Sequence, residues 1–145
     1  MKFKSLVLIL VSTVSFGQKN KNTPQKVWVD SVYNQMTFDE KVGQLFMVAG
    51  YSNRDSKHVD ALLDLVKNQK IGGVIFFQGG PGRQAKITNK LQFNSKVPLF
   101  VGIDAEWGLG MRLDSTYVYP WNMNLGAIQN MDLIENVGRD MGKQA

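Results

Sequence analysis

The sequence has 145 residues, 43% of them hydrophobic and 20% charged, which excludes a disordered chain, a collagen-like repeat and a long coiled coil. Cysteine is absent, so disulfides, thiolate metal sites, a cysteine nucleophile and a lipidated N-terminal cysteine are excluded as well. The formal charge of +5 includes Lys2 and Lys4 and is not concentrated in a block of like charges, so it does not favour nucleic-acid binding.

Residues 1–17 have the pattern of an export signal. A basic start is followed by an apolar run from Leu6 to about Val14, and the small residues Ser15 and Gly17 precede a plausible cleavage point. This order is typical of a secretory signal, and the apolar run is much shorter than the roughly 20 residues that span a bilayer. We therefore expect an exported protein, periplasmic or secreted, without a lipid anchor and with no membrane insertion after signal cleavage.

Residues 18–44 read as an N-terminal helical lead-in. Thr23 followed by Pro24 is typical of a helix N-cap with proline in the first turn. Thr37 with Glu40 three residues later predicts a capping box, and therefore a second, short helix.

From residue 45 to 145, apolar runs alternate with helical patterns. Short apolar runs without polar alternation are typical of strands buried on both faces of a parallel sheet. Strands that alternate with helices of this length form βαβ units, so we predict an α/β fold. The predicted strands are Leu45–Ala49, Val74–Phe77 and Val97–Ile103, and the predicted helices cover 55–69, 83–94 and 131–145.

Three parallel strands leave two unpaired edges, and a complete (β/α)8 barrel needs about 250 residues. The sequence also ends inside a helical pattern. We therefore expect the N-terminal part of a (β/α)8 TIM-type barrel, incomplete in this chain, whose partner is the missing C-terminal part of the same protein.

In parallel α/β folds, functional side chains collect at the carboxyl ends of the strands. The third predicted strand end has the richest chemistry, with two carboxylates, an indole and a guanidinium: Asp104, Glu106, Trp107 and Arg112. Carboxylates and guanidinium groups hydrogen-bond sugar hydroxyls, and aromatic rings pack on the apolar face of a pyranose. A purely structural pair between the strand-end carboxylate and Arg112 remains the alternative.

Four segments, in this order, resemble the N-terminal part of family 3 glycoside hydrolases, especially bacterial β-N-acetylglucosaminidases. They are Met36–Met47, Ile71–Phe77, Val101–Leu113 and Tyr119–Asn130. In the third segment Trp107 replaces a glycine of the commoner motif, while the Asp-to-Arg spacing of eight is kept.

The resemblance implies hydrolysis of terminal β-linked N-acetylhexosamine from glycans or peptidoglycan-derived sugars. It assigns substrate binding to Asp104 and Arg112, which match residues that hold the sugar in the −1 subsite. Glu106 matches a carboxylate that we expect to pair locally, and Trp107 either forms a wall of the subsite or only packs.

The resemblance places the nucleophile and the acid/base downstream of this chain, so we expect no catalytic residue within it. Asp104 and Glu106 lie two residues apart on one short segment, and the resemblance assigns neither of them a catalytic role, so we expect them to be a poor catalytic pair. His58, the only histidine, is expected to be a solvated surface residue. No metal or organic cofactor is implied.

Three other interpretations stay open. A β-glucosidase of the same family and an inactive sugar-binding fragment share the expected fold. The third is a dinucleotide-binding domain, because residues 80–85 fit G-x-G-x-x-A after a strand, with Asp104 about twenty residues on. Pro81 and the export signal count against it, and a Walker P-loop is excluded because no Lys-Ser/Thr follows the glycines.

Overall fold

The computed structural model describes residues 23–145. The predicted export signal and residues 18–22 lie outside this range. Its helices and strands, in chain order, are α1 (Pro24–Asn34), α2 (Phe38–Gly43), β1 (Met47–Gly50), α3 (Ser56–Asp64), β2 (Gly73–Phe76), α4 (Pro81–Phe93), β3 (Phe100–Ile103), α5 (Asn122–Gly126) and α6 (Met131–Gln144).

The chain divides into two compact units between Asn34 and Gln35. Within the first unit, α1 begins as the sequence predicts, because the Thr23 hydroxyl accepts a hydrogen bond from the Lys26 amide at 3.2 Å. This bond satisfies one of the amides that a helix start leaves without a partner.

The second unit opens with the capping box predicted at Thr37. The Thr37 hydroxyl accepts from the Glu40 amide at 3.2 Å, and a Glu40 carboxylate oxygen accepts from the Thr37 amide at 2.9 Å. The Glu40 carboxylate also forms an ion pair with Lys96, which lies just before β3. The same side chain therefore starts α2 and joins it to the segment that leads into the third strand.

The three strands form one parallel sheet in the order β1-β2-β3, which confirms the predicted α/β fold with a parallel sheet. Rows of residues run across the sheet, such as Val48–Val74–Val101. The helices α3 and α4 make the parallel connections between successive strands, as the alternating pattern predicts.

The core lies between one face of the sheet and the helices that connect its strands. Its buried apolar side chains are Leu62, Leu63, Val66, Ile71, Val74, Phe76, Leu91 and Leu99. The prediction that all three strands are buried on both faces is wrong for β1 and β3, since Met47 and Phe100 are exposed. Both residues belong to the row Met47–Gly73–Phe100, on the sheet face opposite that of the core residue Val74.

The helix predicted over 55–69 changes character before it ends. It begins at the N-cap Asp55, whose carboxylate accepts from the His58 amide at 3.2 Å. From Leu65 to Gln69 the chain forms a π-helical turn, and Lys70 then adopts a left-handed conformation with φ 54°. This wider turn still buries Val66 in the core.

Within residues 23–145, helices with the length and apolar character needed to cross a bilayer are absent.

Candidate functional site

The loops that follow the three strands meet at the C-terminal end of the sheet, and Ser52 joins the first two of these loops. Its amide donates to the Gln78 carbonyl at 3.0 Å, and its hydroxyl accepts from the Gly80 amide at 3.0 Å. Ser52 is almost completely buried, at 4% exposure, so these bonds are shielded from water. The β1 loop is thereby fixed to the glycine-rich turn after β2.

Gly79 joins the second loop to the third. Its amide donates to the Arg112 carbonyl at 3.1 Å, and its carbonyl accepts from the Asp114 amide at 2.8 Å. These two bonds make a parallel bridge between Gly79 and Leu113. A Cβ atom at residue 79 would lie 1.7 Å from the Ser52 hydroxyl, so only glycine fits between the two loops.

The side chain of Arg83 also connects the first and third of these loops. The Arg83 guanidinium, on the first turn of α4, forms an ion pair with Asp114 and donates through Nε to the Ser52 carbonyl at 3.1 Å. This guanidinium holds the pKa of the Asp114 carboxyl below its ordinary value. The main chain on the C-terminal side of Arg112 is therefore anchored to both neighbouring loops.

Asp104 and Arg112, the two predicted substrate-binding residues, lie together at the carboxyl end of β3. Arg112 donates through Nε to the Asp104 carbonyl at 2.9 Å, and its terminal nitrogen Nη2 forms an ion pair with Asp104 Oδ2. A short 3₁₀ turn at Leu109–Met111 reverses the chain and brings the guanidinium back to the strand end.

The pair remains open to a ligand. The Asp104 side chain is 33% exposed and that of Arg112 is 17% exposed. Among residues 23–145 the second Asp104 oxygen, Oδ1, has no hydrogen-bond partner. The structural pairing considered from the sequence is therefore present, and it leaves an acceptor available for a sugar hydroxyl.

Aromatic rings lie beside the ion pair. The Arg112 guanidinium carbon is 4.8 Å from the centroid of the Phe77 ring, and the Tyr51 ring stacks on Phe77 with centroids 5.7 Å apart. The Arg54 guanidinium lies 3.7 Å from the Tyr51 centroid on the first loop. Cations over aromatic faces are attracted by the ring quadrupole, so Phe77 helps to hold the Arg112 guanidinium in position.

The expectation for Glu106 changes, whereas that for Trp107 stays open. The Glu106 side chain is exposed and has no hydrogen-bond or ion-pair partner within the described part of the chain, so the expected local pairing is wrong. Only its backbone carbonyl is engaged, by the Asn122 side chain at 3.2 Å. Trp107 is half-buried beside the site, and its role as a subsite wall stays a prediction.

His58 is also not the solvated residue expected from the sequence. It is half-buried on the first turn of α3, and its Nε2 accepts a hydrogen bond from the Tyr51 amide at 3.0 Å. Burial, and secondarily the nearby Arg54 charge, lower the pKa of His58 below its ordinary value. The neutral imidazole is therefore the form that fits this site.

The segment 80–85 does not present a free phosphate-binding turn. The Gly80 amide donates to Ser52 and the Arg83 guanidinium is occupied by Asp114, while Pro81 has no amide hydrogen to donate. The Gly80 amide and the Arg83 side chain are therefore already used to join the loops, and residue 81 has no donor to offer a pyrophosphate.

The protein therefore has a parallel α/β fold, with charged and aromatic groups together at the carboxyl ends of its strands. Residues 37–145 match the family described as the glycosyl hydrolase family 3 N-terminal domain. Because this match covers well over half of the chain, the protein belongs to that family, as the sequence resemblance predicted.

Two relatives extend the comparison. The chain is 26% identical over 118 residues to a beta-N-acetylglucosaminidase/beta-glucosidase from Cellulomonas fimi, a match that covers 81% of this chain and 20% of the relative. A solved structure described as beta-glucoside phosphorylase BglX bound to 2FGlc is similar in fold, with a TM-score of 0.70. That match has 24% identity and covers 81% of this chain and 21% of that one. The chain thus spans about a fifth of the length of each.

Sequence reasoning missed the groups that hold the site together. Ser52, Tyr51 and Phe77 lie at the ends of the first two strands, a position that could have marked them. Their partners come from other loops, and spacing along the chain does not reveal such pairs.

Proposed function

We propose that the protein hydrolyses terminal β-linked N-acetylhexosamine from glycans or peptidoglycan-derived sugars, with Asp104 and Arg112 binding the terminal sugar. The observation that carries this proposal is the partly exposed Asp104–Arg112 pair at the carboxyl end of β3, with one carboxylate oxygen free among the described residues. Hydrogen bonds from sugar hydroxyls to a charged acceptor are stronger than those between neutral groups.

A β-glucosidase is the second candidate. The relative from Cellulomonas fimi carries both activities in its name, so family membership supports glycoside hydrolysis without choosing between the two sugars. Both candidates use the same binding pair, and they differ in whether the sugar bears an acetamido group.

We further propose that β1, β2 and β3 are the first three strands of a (β/α)8 barrel. All three are parallel and adjacent in chain order, and among residues 23–145 the outer edges of β1 and β3 have no paired strand. Phe46, just before β1, and Phe100, the first residue of β3, are both exposed, and further chain would cover them. The fold similarity to a much longer structure, of which the match covers 21%, supports the same arrangement.

Neither the nucleophile nor the acid/base of this reaction is assigned to a residue of this chain. Retaining glycosidases place two carboxyl groups about 5–5.5 Å apart across the scissile bond. The Asp104 carboxylate is held by Arg112, and the exposed Glu106 side chain has no hydrogen-bond or ion-pair partner among residues 23–145.

The test is the substitution Asp104→Asn in the complete protein as its gene encodes it, assayed on chromogenic N-acetylglucosaminide and glucoside. Loss of the charged acceptor should lower kcat/KM by about 10²–10³-fold on the preferred sugar, because bonds to sugar hydroxyls strengthen in the transition state. Glu106→Gln is the matched control two residues away and should stay within about twofold of wild type. An Asp104→Asn enzyme with unchanged kcat/KM would remove Asp104 from the site.

Export is proposed on the sequence pattern of residues 1–17. Expression in a bacterial host, followed by mass determination of the product, should give a chain that starts at or near Gln18. A product that retains Met1 in the cytoplasm would contradict this proposal.

A further inference from the structure

A continuous set of ring contacts leads from α3 to the sugar-binding pair. The Tyr51 ring meets the His58 ring edge-on, with centroids 5.6 Å apart and an interplanar angle of 67°. On its other neighbour, Phe77, it stacks at 5.7 Å and 22°. The Arg112 guanidinium lies over the Phe77 ring. Each group in this series therefore has its position limited by the next.

We propose that Phe77 and Tyr51 are positioning residues for Arg112, and that His58 in its neutral form holds Tyr51 in place. The sugar-binding consequence rests on the function proposed above, whereas the positioning of Arg112 does not depend on it.

Phe77 acts on Arg112 directly. An arginine side chain has many rotamers, and fixing the guanidinium before a ligand arrives lowers the entropy lost on binding. Two hydrogen bonds to Asp104 fix one end of the group, and the Phe77 ring fixes its plane from the side. A flat aromatic face at this position restricts rotation that the two hydrogen bonds alone would allow.

Tyr51 in turn limits the position of Phe77. The main chain around Tyr51 is fixed on both sides, because the Ser52 amide donates to Gln78 and the Tyr51 amide donates to His58 Nε2. The second bond exists only when Nε2 carries no proton, since a protonated imidazole has a donor on both nitrogens. Protonation would place two N–H groups against each other and release the Tyr51 amide.

Four groups of the β1 loop and the start of α3 face or flank this imidazole. Arg54 opposes its protonation and Asp55 favours it, while Tyr51 supplies the donor and the facing ring and Lys57 adjoins it on α3. Phe77, from the end of β2, carries no charge. Burial has the largest effect and acts with Arg54, so the neutral form persists below the ordinary pKa of 6.5. The hydrogen bond from the Tyr51 amide to His58 should then be lost only in more acidic solution.

The experiment follows the Arg112 Nε–H signal by NMR in the complete protein labelled with ¹⁵N-arginine, with the signal assigned by its loss in Arg112→Lys. In wild type, a slowly exchanging signal is expected at neutral pH, because Nε–H is bonded to the Asp104 carbonyl. Phe77→Tyr, which keeps the ring, should retain this signal. Phe77→Leu should accelerate its exchange by about tenfold or more.

The pH dependence separates positioning from simple packing. In wild type, Nε–H exchange should accelerate, beyond its intrinsic dependence on pH, as His58 is protonated below pH 6.5. His58→Gln supplies a side-chain oxygen that accepts from the Tyr51 amide but cannot titrate, so its corrected exchange should stay slow throughout. His58→Ala should be fast at every pH.

Kinetics with the preferred chromogenic glycoside should follow the same order, with KM rising about threefold to tenfold in Phe77→Leu and little change in Phe77→Tyr. The proposal is overturned if Phe77→Leu leaves Nε–H exchange unchanged, or if His58→Gln loses protection in acid to the same extent as wild type. The NMR signal needs no turnover, so a protein that cleaves neither glycoside would refute the proposed function and leave this test intact.

Discussion

Arg112 contributes more than a positive charge to its site. Its planar guanidinium bonds the backbone carbonyl and the carboxylate of Asp104 at once and lies over the Phe77 ring. A lysine ammonium carries the same charge but has neither the fork of donors nor a flat face.

Arg112→Lys should therefore lower kcat/KM on the preferred glycoside by about tenfold to a hundredfold, corresponding to about 1.5–3 kcal/mol for a lost charged hydrogen bond. The melting temperature should change little, because the main chain around Arg112 is held independently by Gly79. Michaelis–Menten kinetics measures the expected loss of kcat/KM, and thermal melting measures the expected lack of change in stability. A kcat/KM equal to that of wild type would contradict the role of the guanidinium.

Gly43 is a second position where the size of a single residue determines the packing. A Cβ atom there would lie 2.1 Å from the Gln69 carbonyl oxygen, which is backbone and cannot rotate away. At Gly82, in the first turn of α4, an added Cβ atom would have nothing within 4 Å, so this residue is the matched control.

Gly43→Ala should lower the free energy of unfolding by about 1–3 kcal/mol, the usual cost of overpacking. Gly82→Ala should leave it unchanged or raise it by about 0.4–1 kcal/mol, because alanine restricts the unfolded chain. Urea unfolding of both variants measures the difference. Equal stabilities would mean that α2 and the turn at Gln69 are not in close contact.

At the scale of elements, the starts of β1 and β3 differ from the predicted strands for local reasons. The amides of Leu45 and Phe46 donate to Val42 and Gly43, so they continue the end of α2 and delay β1 until Met47. Before β3, the Gln92 side chain donates to the Leu99 carbonyl and accepts from its amide, both at 2.9 Å. Leu99 is thereby bonded to α4 instead of to a neighbouring strand.

Two apolar side chains on helix α4 differ strongly in burial, and this difference predicts different costs of substitution. Leu91 is 1% exposed in the core, whereas Phe93 is 91% exposed two residues later. Leu91→Ala should lower the free energy of unfolding by about 2–5 kcal/mol, since it leaves a cavity. Phe93→Ala should change it by less than about 0.5 kcal/mol. Chemical denaturation of both variants tests this, and a large cost for Phe93→Ala would show that further chain covers this end of α4.

At the scale of the whole molecule, two grooves follow the open edges of the sheet. One of about 500 Å³ runs between α4 and β3 and includes Gln84, whose buried Oε1 has no hydrogen-bond partner in the described structure. The other, of about 470 Å³, lies beside β1 and is lined by apolar residues that include Phe38 and Phe46. Both grooves lie beside strands whose outer edges have no paired strand among residues 23–145.

Acid should destabilise the chain in two stages. The His58 pKa is lowered by folding, so the unfolded state binds its proton first, and stability falls as the pH drops below 6.5. The Glu40 pKa is lowered chiefly by Lys96 and then by the Thr37 amide, so its contribution is complete above 4.5 and is lost as the pH falls further.

Melting temperatures recorded between about pH 7 and pH 3 should show both stages. His58→Gln should remove the first, and Lys96→Met should reduce the second, because it removes the largest cause of the Glu40 shift. A wild-type melting temperature that is constant from about pH 7 to pH 5 would contradict the effect of His58.

Local patterns were enough to predict the starts of α1 and α2 and the parallel α/β class, whereas the roles of Asp104 and Arg112 come from the family resemblance and stay a prediction. A capping box, buried apolar runs and an Asp-to-Arg spacing across one turn all depend on residues close together in the chain, so the sequence records them directly. The fold similarity and the family match agree with the predicted fold class and family.

Only the tertiary structure decided how the loops at the carboxyl ends of the strands are joined to one another. Ser52, Gly79 and His58 owe their roles to partners on another strand end or loop, and those distances are set by the packing of the sheet on its helices. The open faces of β1 and β3 were likewise invisible in apolar runs, because a run records which residues avoid water and not what covers them.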